Sequence, residues 1–230
     1  MNTNGESALK MAEYKPLQDI AYNYLRDMIY SRELNFETIY SETRMAEQLS
    51  ISRTPMREAL TRLNRERYID ILPNRGFKLH KPTEADVNEA YHIRMMADSY
   101  CAALIARDCK KKAARAVIAK MQDALDRQCE LLDSQERPDL REFWMEDLKF
   151  HTAMLDYVNI SAFNIQYDSF LHVFMPQYLD DDKILGRNHS TIPEHRAIIQ
   201  ALSEGDEERV AAAIRKHLNT SLRLMMIRAN

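Results

Sequence analysis

The sequence predicts a mainly α protein: three helices and a β-hairpin over residues 14–82, then an all-α antiparallel helical bundle over 83–230. Three observations carry this. Only four glycines stand against thirteen methionines, and long Ala, Leu, Arg and Glu runs leave little room for the turn glycines and β-branched runs of a large sheet. Apolar residues recur at helical spacing along most of the chain. Strand character is confined to Tyr68-Ile69-Asp70-Ile71-Leu72 and Phe77-Lys78-Leu79, around the turn residues Pro73-Asn74-Arg75-Gly76, and it vanishes from Thr83 onward.

Residues 1–13 read as a polar, flexible tail. A first helix is expected from about Pro16 to Ser31, with Ile20, Tyr24, Leu25, Met28 and Ile29 at helical spacing and Pro16 suited to the first turn. A short second helix spans about Ser41 to Leu49, capped by Ser41. After the break Ser50-Ile51-Ser52, a third runs from about Arg53 to Arg65 with Met56, Leu60 and Leu63 inward. Three helices followed by a hairpin is the order of a winged helix-turn-helix. In the second domain, Thr83 with Glu84 and Asp86 starts a helix to about Asp108, Pro138 starts another to about Val158, and Pro193 opens a third. Stretches near 110–134, 160–180 and 206–228 are also helical by pattern.

Composition narrows the class. Hydrophobic residues make up 45% and charged residues 29%, which excludes a disordered chain. No apolar run approaches the roughly 18–20 residues that span a bilayer, and the N-terminus lacks an apolar signal core, so a cytoplasmic protein with no membrane partner is expected. Cys101, Cys109 and Cys129 follow no metal spacing and read as reduced thiols.

The net charge of −3 is uneven. From Arg53 to Lys81 there are eight basic residues and three acids, a balance of +5, so the rest of the chain carries −8. A basic island in an acidic protein points to a local polyanion contact. The first turns of the third helix read Ser52-Arg53-Thr54-Pro55-Met56-Arg57. Arg53 and Arg57, four apart, share a face, and arginine is the side chain best matched to guanine O6 and N7. Ser52 and Thr54 can cap the helix and donate to phosphates, and Arg75-Gly76 lets a guanidinium and bare backbone approach DNA at the wing tip. The plainer reading, solvated arginines on a helix hairpin, leaves the order of arginine-rich turn, break and basic wing unexplained.

The stretch Ser52–Leu60 (SRTPMREAL), then Leu63 and Pro73-Asn74-Arg75-Gly76-Phe77, strongly resembles the GntR family of bacterial regulators over about 16–82. The resemblance implies a homodimer on a near-palindromic double-stranded DNA operator. Arg53 and Arg57 would read bases, Ser52 and Thr54 would contact backbone, and Arg75-Gly76 would form the wing tip. The chain departs from the family at Arg32, Glu37, Ser50 and Arg67, where glycine is usual, and at Phe36, where proline is usual. The family arginine before the second helix falls on Thr43, with Arg44 one position later.

In the second domain four polar residues lie on apolar stripes. Asp147 and His151 share a face with Leu140, Phe143, Trp144, Met154, Leu155 and Val158; His195 lies with Ile199 and Leu202; His217 lies with Val210, Ala213, Ile214 and Leu224. One histidine on an apolar face is ordinarily a satisfied core residue. Four such groups entering one bundle need partners, and one Asp with three His makes a first shell for zinc, nickel or manganese. Arg94 shares a stripe with Val87, Tyr91, Cys101 and Ile105, close to Asp98. It reads either as an internal Arg94–Asp98 pair or as a clamp for a ligand carboxylate. His80, His92, His172 and His189 read as structural or surface residues.

This half is similar to the FCD ligand-binding domain of the FadR-type subgroup, judged by Asp147-x-x-x-His151, Glu194-His195 and His217. The resemblance implies a divalent metal on Asp147, His151, His195 and His217 and favours Arg94 as the effector clamp. The expected function is then a one-component sensor, more commonly a repressor, in which a small organic acid biases the dimer geometry. A metal-dependent enzyme with an accessory DNA-binding domain is the competing class, but the sequence offers no obvious further buried acid or base poised near all four ligands and no nucleophile motif. An acyl-CoA-sensing regulator without metal is the other alternative, and the His/Asp set argues against it.

Overall fold

The computed structural model describes residues 16–133, 139–159, 167 and 181–229, without the side chains of 181–185 and 227–229. The expected tail, Pro138, His172 and all of the 160–180 stretch but Tyr167 lie outside these residues. The chain forms two compact units that divide between Leu79 and His80.

In the N-terminal unit, α1 spans Leu17–Tyr30, α2 Glu42–Gln48 and α3 Arg53–Arg65. Ser41 caps α2, its hydroxyl accepting from the Arg44 N–H at 3.4 Å. α3 buries Met56, Ala59, Leu60 and Leu63 against α1, which contributes Ala21, Tyr22, Leu25 and Ile29. The expected face of α1 is therefore rotated: Ile20 stays 41% exposed, and Tyr24 and Met28 are half-buried, because small Ala21 allows close approach to α3 where Ile20 does not sit. β1 (Ile69–Leu72) pairs antiparallel with β2 (Gly76–Leu79), Ile69 opposite Leu79 and Leu72 opposite Gly76. Alternation along β2 buries Phe77 and Leu79.

Three of the four positions where the resemblance expects glycine are left-handed here: Arg32 at φ 60°, Ser50 at φ 54° and Arg67 at φ 60°. Glu37 is not. Each follows a helix C-terminus, where a left-handed residue redirects the chain and glycine avoids the clash of a Cβ with the next carbonyl.

In the C-terminal unit, α4 spans Glu84–Arg107, α5 Lys112–Asp133, α6 Leu140–Val158, α7 Asp181–Glu204 and α8 Glu207–Ala229. Thr83 and Asp86 form a reciprocal capping box at the start of α4. The Asp139 carboxylate caps α6, accepting from Arg141 and Glu142 N–H at 2.9 and 3.0 Å. Pro193 does not open a helix; it lies inside α7. In the turn before it the Arg187 carbonyl also accepts from the hydroxyls of Ser190 (2.8 Å) and Thr191 (3.0 Å), back-bonding of a kind that accompanies bent helices. α5 packs on α6 and α7, and α4 on α6 and α8. Their shared core includes Ile105, Met121, Phe150, Met154, Ile198, Leu202 and Ile214. Among the described residues, no helix is long and apolar enough to cross a membrane.

Candidate functional site

The N-terminal unit presents the side chains of its candidate DNA-contacting residues on the outside. Arg44, Ser52, Arg53, Thr54, Arg57 and Arg75 are all exposed. Ser52 occupies the N-cap of α3, but its side chain makes no capping bond, so its hydroxyl is not consumed by the helix as capping would require. Thr54 sits within the first turn and gives no cap either. Arg53 and Arg57 converge on one carboxylate of α2: Arg53 Nε lies 3.2 Å from Glu42 Oε1, and Arg57 Nε lies 3.0 Å from Oε1 and 3.1 Å from Oε2.

Gly76 has an internal reason to be glycine. Its φ is +116°, and a Cβ there would sit 2.0 Å from the Tyr40 carbonyl oxygen. That close approach lets Tyr40 and Phe77 exchange backbone hydrogen bonds of 2.7 and 3.0 Å and stack their rings at 5.7 Å, tying the hairpin to the segment before α2. The residue expected to bare its backbone to DNA is thus required first by the wing itself.

The C-terminal unit brings Asp147 and His151 of α6, His195 of α7 and His217 of α8 together, each offering a ligand atom within 4.8 Å of the others. All three histidines are fully buried, while Asp147 stands at the rim with its side chain 22% exposed. Asp147 Oδ1 is 3.4 Å from His195 Nε2, and Oδ2 is 3.9 Å from His151 Nε2. The Phe150 ring stacks flat on His195 at 3.8 Å.

Behind each imidazole stands an acceptor. His195 Nδ1 is 2.9 Å from Gln128 Oε1 of α5, and His217 Nδ1 is 3.0 Å from Glu194 Oε2. His151 Nδ1 is 3.0 Å from Asp98 Oδ2 of α4, a close contact though not aligned as a hydrogen bond. Arg187 braces Glu194 at 2.8 Å and also approaches His217 Nδ1 to 3.1 Å. The carboxylate is the stronger claim on that nitrogen, because Arg187 Nη2 has Ser221 Oγ at 3.0 Å to donate to instead. The acceptors behind His195 and His217 place their ring protons on Nδ1 and leave the Nε2 lone pairs facing inward, and the Asp98 carboxylate 3.0 Å from His151 Nδ1 favours the same tautomer there. The Nε2 atoms of His151, His195 and His217 have no hydrogen-bond partner. Three buried lone pairs beside a carboxylate fit a divalent transition metal by number and type of donor.

Electrostatics agree. Burial pushes His195 and His217 well below the ordinary imidazole range, and His151, Arg187 and Arg94 add to this. Both are neutral at neutral pH, the form that ligates metal. Burial opposes the charge of Asp98, but His151, Arg94 and Tyr167 overcome it and hold the carboxyl below its usual value. Arg94 is 2% exposed, with Nη2 3.8 Å from Asp98 Oδ2. Burial opposes its charge too, and Tyr167, Asp98 and Asp147 together keep it protonated. The Tyr167 hydroxyl donates to Asp98 Oδ1.

Gln128 and Tyr167 escape sequence reasoning. Gln128 is legible in retrospect as a polar residue on the buried stripe Met121, Ala124, Leu125, Leu131 of α5. Of the histidines read as structural or surface, His80 contacts Asp86 at 3.1 Å, and His92 and His189 are exposed.

Comparison with known proteins completes the assignment. The sequence matches bacterial regulatory proteins of the gntR family over residues 17–79 and the FCD domain over residues 89–220. It is 27% identical to an HTH-type transcriptional regulator in an unstable DNA locus of Streptomyces ambofaciens, over 86% of this chain and 80% of that one. It is 25% identical to the HTH-type transcriptional repressor RspR of Escherichia coli, over 89% of this chain and 86% of that one. The solved structure of E. coli McbR/YncC shares the fold with a TM-score of 0.71 at 18% identity, over 94% of this chain and all of that one, 100%. The relatives are transcription regulators, not enzymes. The chain belongs to the GntR family of transcriptional regulators, with a GntR winged helix-turn-helix followed by an FCD domain.

Proposed function

We propose that this regulator is a metal-dependent repressor that binds a near-palindromic operator as a homodimer and releases it in response to a small organic acid. The observation that carries the reading is the set of three buried, partnerless Nε2 atoms converging beside Asp147. Leaving such atoms unsatisfied costs about 1–3 kcal/mol each, so a bundle that keeps them is built to fill them. Asp147, His151, His195 and His217 hold a zinc, nickel or manganese ion, and Asp98, Gln128 and Glu194 fix the rings behind it. On an octahedral ion such a set leaves open positions, where the metal supplies Lewis-acid anchorage for an effector carboxylate. Arg94, buried within the field of Asp147, provides the planar fork for that same carboxylate, with Asp98 as its counter-charge in the effector's absence.

In the other unit Arg53 and Arg57 read base edges in the major groove, Arg44, Ser52 and Thr54 contact the backbone, and Arg75-Gly76 forms the wing tip. The RspR relative, a repressor, supports the sign of regulation. The effector acts by preferring one dimer geometry over the other, which alters the spacing of two recognition helices.

The decisive experiment is native mass spectrometry of the full chain purified without chelators. A dimer carrying stoichiometric divalent metal and a retained organic acid is expected, and His151→Ala abolishes the metal. Unchanged metal content in that variant sinks the metal centre. Arg53→Ala removes specific operator binding; its retention sinks the recognition-helix assignment.

A further inference from the structure

The two arginines at the head of α3 are not free-swinging. Both send their Nε atoms to the carboxylate of Glu42, at 3.2 Å from Arg53 and at 3.0 and 3.1 Å from Arg57. Glu42 is the first residue of α2, and its side chain is only 20% exposed, whereas those of Arg53 and Arg57 are 60% and 63% exposed. α2 packs directly on α3, so the carboxylate has a rigid base.

The chemistry of this arrangement is directional. A guanidinium has one Nε–H side and one end formed by the two Nη groups. When a carboxylate takes the Nε side, the Nη end remains for a second planar acceptor, and guanine O6/N7 is such an acceptor. One carboxylate shared by two guanidiniums also fixes their separation. Without it, each arginine would sample many rotamers and pair with whichever phosphate lay nearest. The carboxylate further lowers the net positive charge of this face, which weakens attraction to any DNA irrespective of sequence.

We propose that Glu42 is a specificity-determining positioning residue: it sets the orientation of Arg53 and Arg57 toward guanine and holds down non-specific binding. This rests on the reading that these two arginines contact bases. Glu42 itself need not touch DNA. Its removal therefore leaves a protein that binds DNA well but chooses poorly.

The test selects sites from a randomised duplex pool with the full wild-type chain, then measures fluorescence anisotropy on the selected duplex and on a scrambled one. Glu42→Gln keeps the shape and removes the charge. Glu42→Asp keeps the charge but shortens the reach by a methylene, so it serves both arginines less well. Glu42→Gln is expected to bind the scrambled duplex more tightly and to lose about tenfold in the ratio of selected to scrambled affinity. Glu42→Asp loses ratio without the gain on scrambled DNA. A second selection with Glu42→Gln returns sites with weakened preference at guanine positions, a readout that mere loss of stability would not produce.

If both variants keep the wild-type ratio while Arg53→Ala and Arg57→Ala lose it, the role of Glu42 is overturned and the arginine assignment stands. If the arginine variants also keep the ratio, or the wild-type chain selects no site, the base-reading assignment falls and this inference with it. Circular dichroism of each variant guards against unfolding, and Glu42→Asp supplies the test should Glu42→Gln not fold.

Discussion

Replacing Gly76 with alanine isolates the internal role of a residue that sequence alone assigns to DNA. The added Cβ would stand 2.0 Å from the Tyr40 carbonyl oxygen, where contacts under 3.0 Å are essentially never seen, and the obstacle is backbone rather than a movable side chain. The hairpin must withdraw from Tyr40. Withdrawal breaks both backbone bonds between Tyr40 and Phe77, at 2.7 and 3.0 Å, each contributing about 1 kcal/mol net. If the chain does not withdraw, alanine at φ +116° adds strain of about 1–3 kcal/mol on top of the clash with the Tyr40 oxygen. Either route destabilises the N-terminal unit by roughly 2–3 kcal/mol, which lowers the melting temperature of a domain this small by about 10 °C or more. Hydrogen exchange read by mass spectrometry separates the units: protection at the Tyr40 and Phe77 amides should collapse, while the amides of α5 and α6 keep theirs. Retained protection at Tyr40 and Phe77, with unfolding free energy within about 0.5 kcal/mol of wild type, would refute the steric reasoning.

The remaining expectations concern strain, the metal centre and pH. Ser50→Gly relieves a left-handed serine at φ 54°; strain of about 1–2 kcal/mol, less the extra chain entropy of glycine, leaves a gain of about 0.5–1 kcal/mol in urea unfolding, and a loss would count against it. Glu194→Gln removes the charge behind His217 and should weaken metal binding about 10–100-fold in a chelator competition; unchanged affinity would show that the acceptor is not part of the centre. His195 and His217 have imidazoles depressed below the ordinary 6.5, so the unfolded chain binds more protons than the folded one once pH falls below that value. Stability of the metal-free protein is therefore complete above about pH 6.5 and declines as pH falls toward 5. This window lies above that of Asp98, whose unperturbed carboxyl titrates near 3.8, and a flat urea midpoint between pH 7 and 5 would contradict the assignment.

What was legible in the sequence was what local pattern controls. Helical spacing locates α3, and spacing with caps locates α2 and α4, because Ser41 and Thr83 act on residues three positions away. Apolar stripes bring Asp147, His151, His195 and His217 inward, since a helix face is a local property. The misses are non-local. The partner of His195 is Gln128, 67 residues away, and nothing in either stretch alone names the other. The buried face of α1 is chosen by fit against α3, so Ile20 ends exposed although its spacing suits a core. Pro193 reads as a helix start by propensity, yet it is carried inside α7, which packs on α5 and α8. Glycine at 76 advertises backbone access, but the backbone it admits is that of Tyr40, 36 residues away in the chain and unnamed by any local pattern.

Two of the arginine–carboxylate groupings among the described residues show how one chemistry serves two ends. Glu42 with Arg53 and Arg57 lies at the surface, so its pairs contribute little to stability and serve to orient the guanidiniums while their Nη ends stay open to an incoming acceptor. That is what a DNA-reading surface requires. Arg94 and Asp98 are 2% and 0% exposed, and a charge buried so deeply cannot lose its counter-charge without a large penalty. An exchange there is possible only when the incoming group is itself an anion that reaches the guanidinium. At 3.8 Å the Arg94–Asp98 contact is longer than an optimal bidentate pair, and Asp98 divides its oxygens among Arg94, His151 and Tyr167. A ligand carboxylate taking over Arg94 would leave Asp98 its hydrogen bond from Tyr167 and its contact with His151, and would give the guanidinium a new counter-charge. Neutral ligands of the same size have no such compensation. If Arg94 is the effector clamp, its burial favours carboxylates, and an amide analogue of an acid that binds this bundle should bind at least about tenfold more weakly, the equivalent of one charged hydrogen bond. Isothermal titration of the metal-loaded protein with an acid and its amide measures that ratio, and equal affinities would remove Arg94 from the effector site.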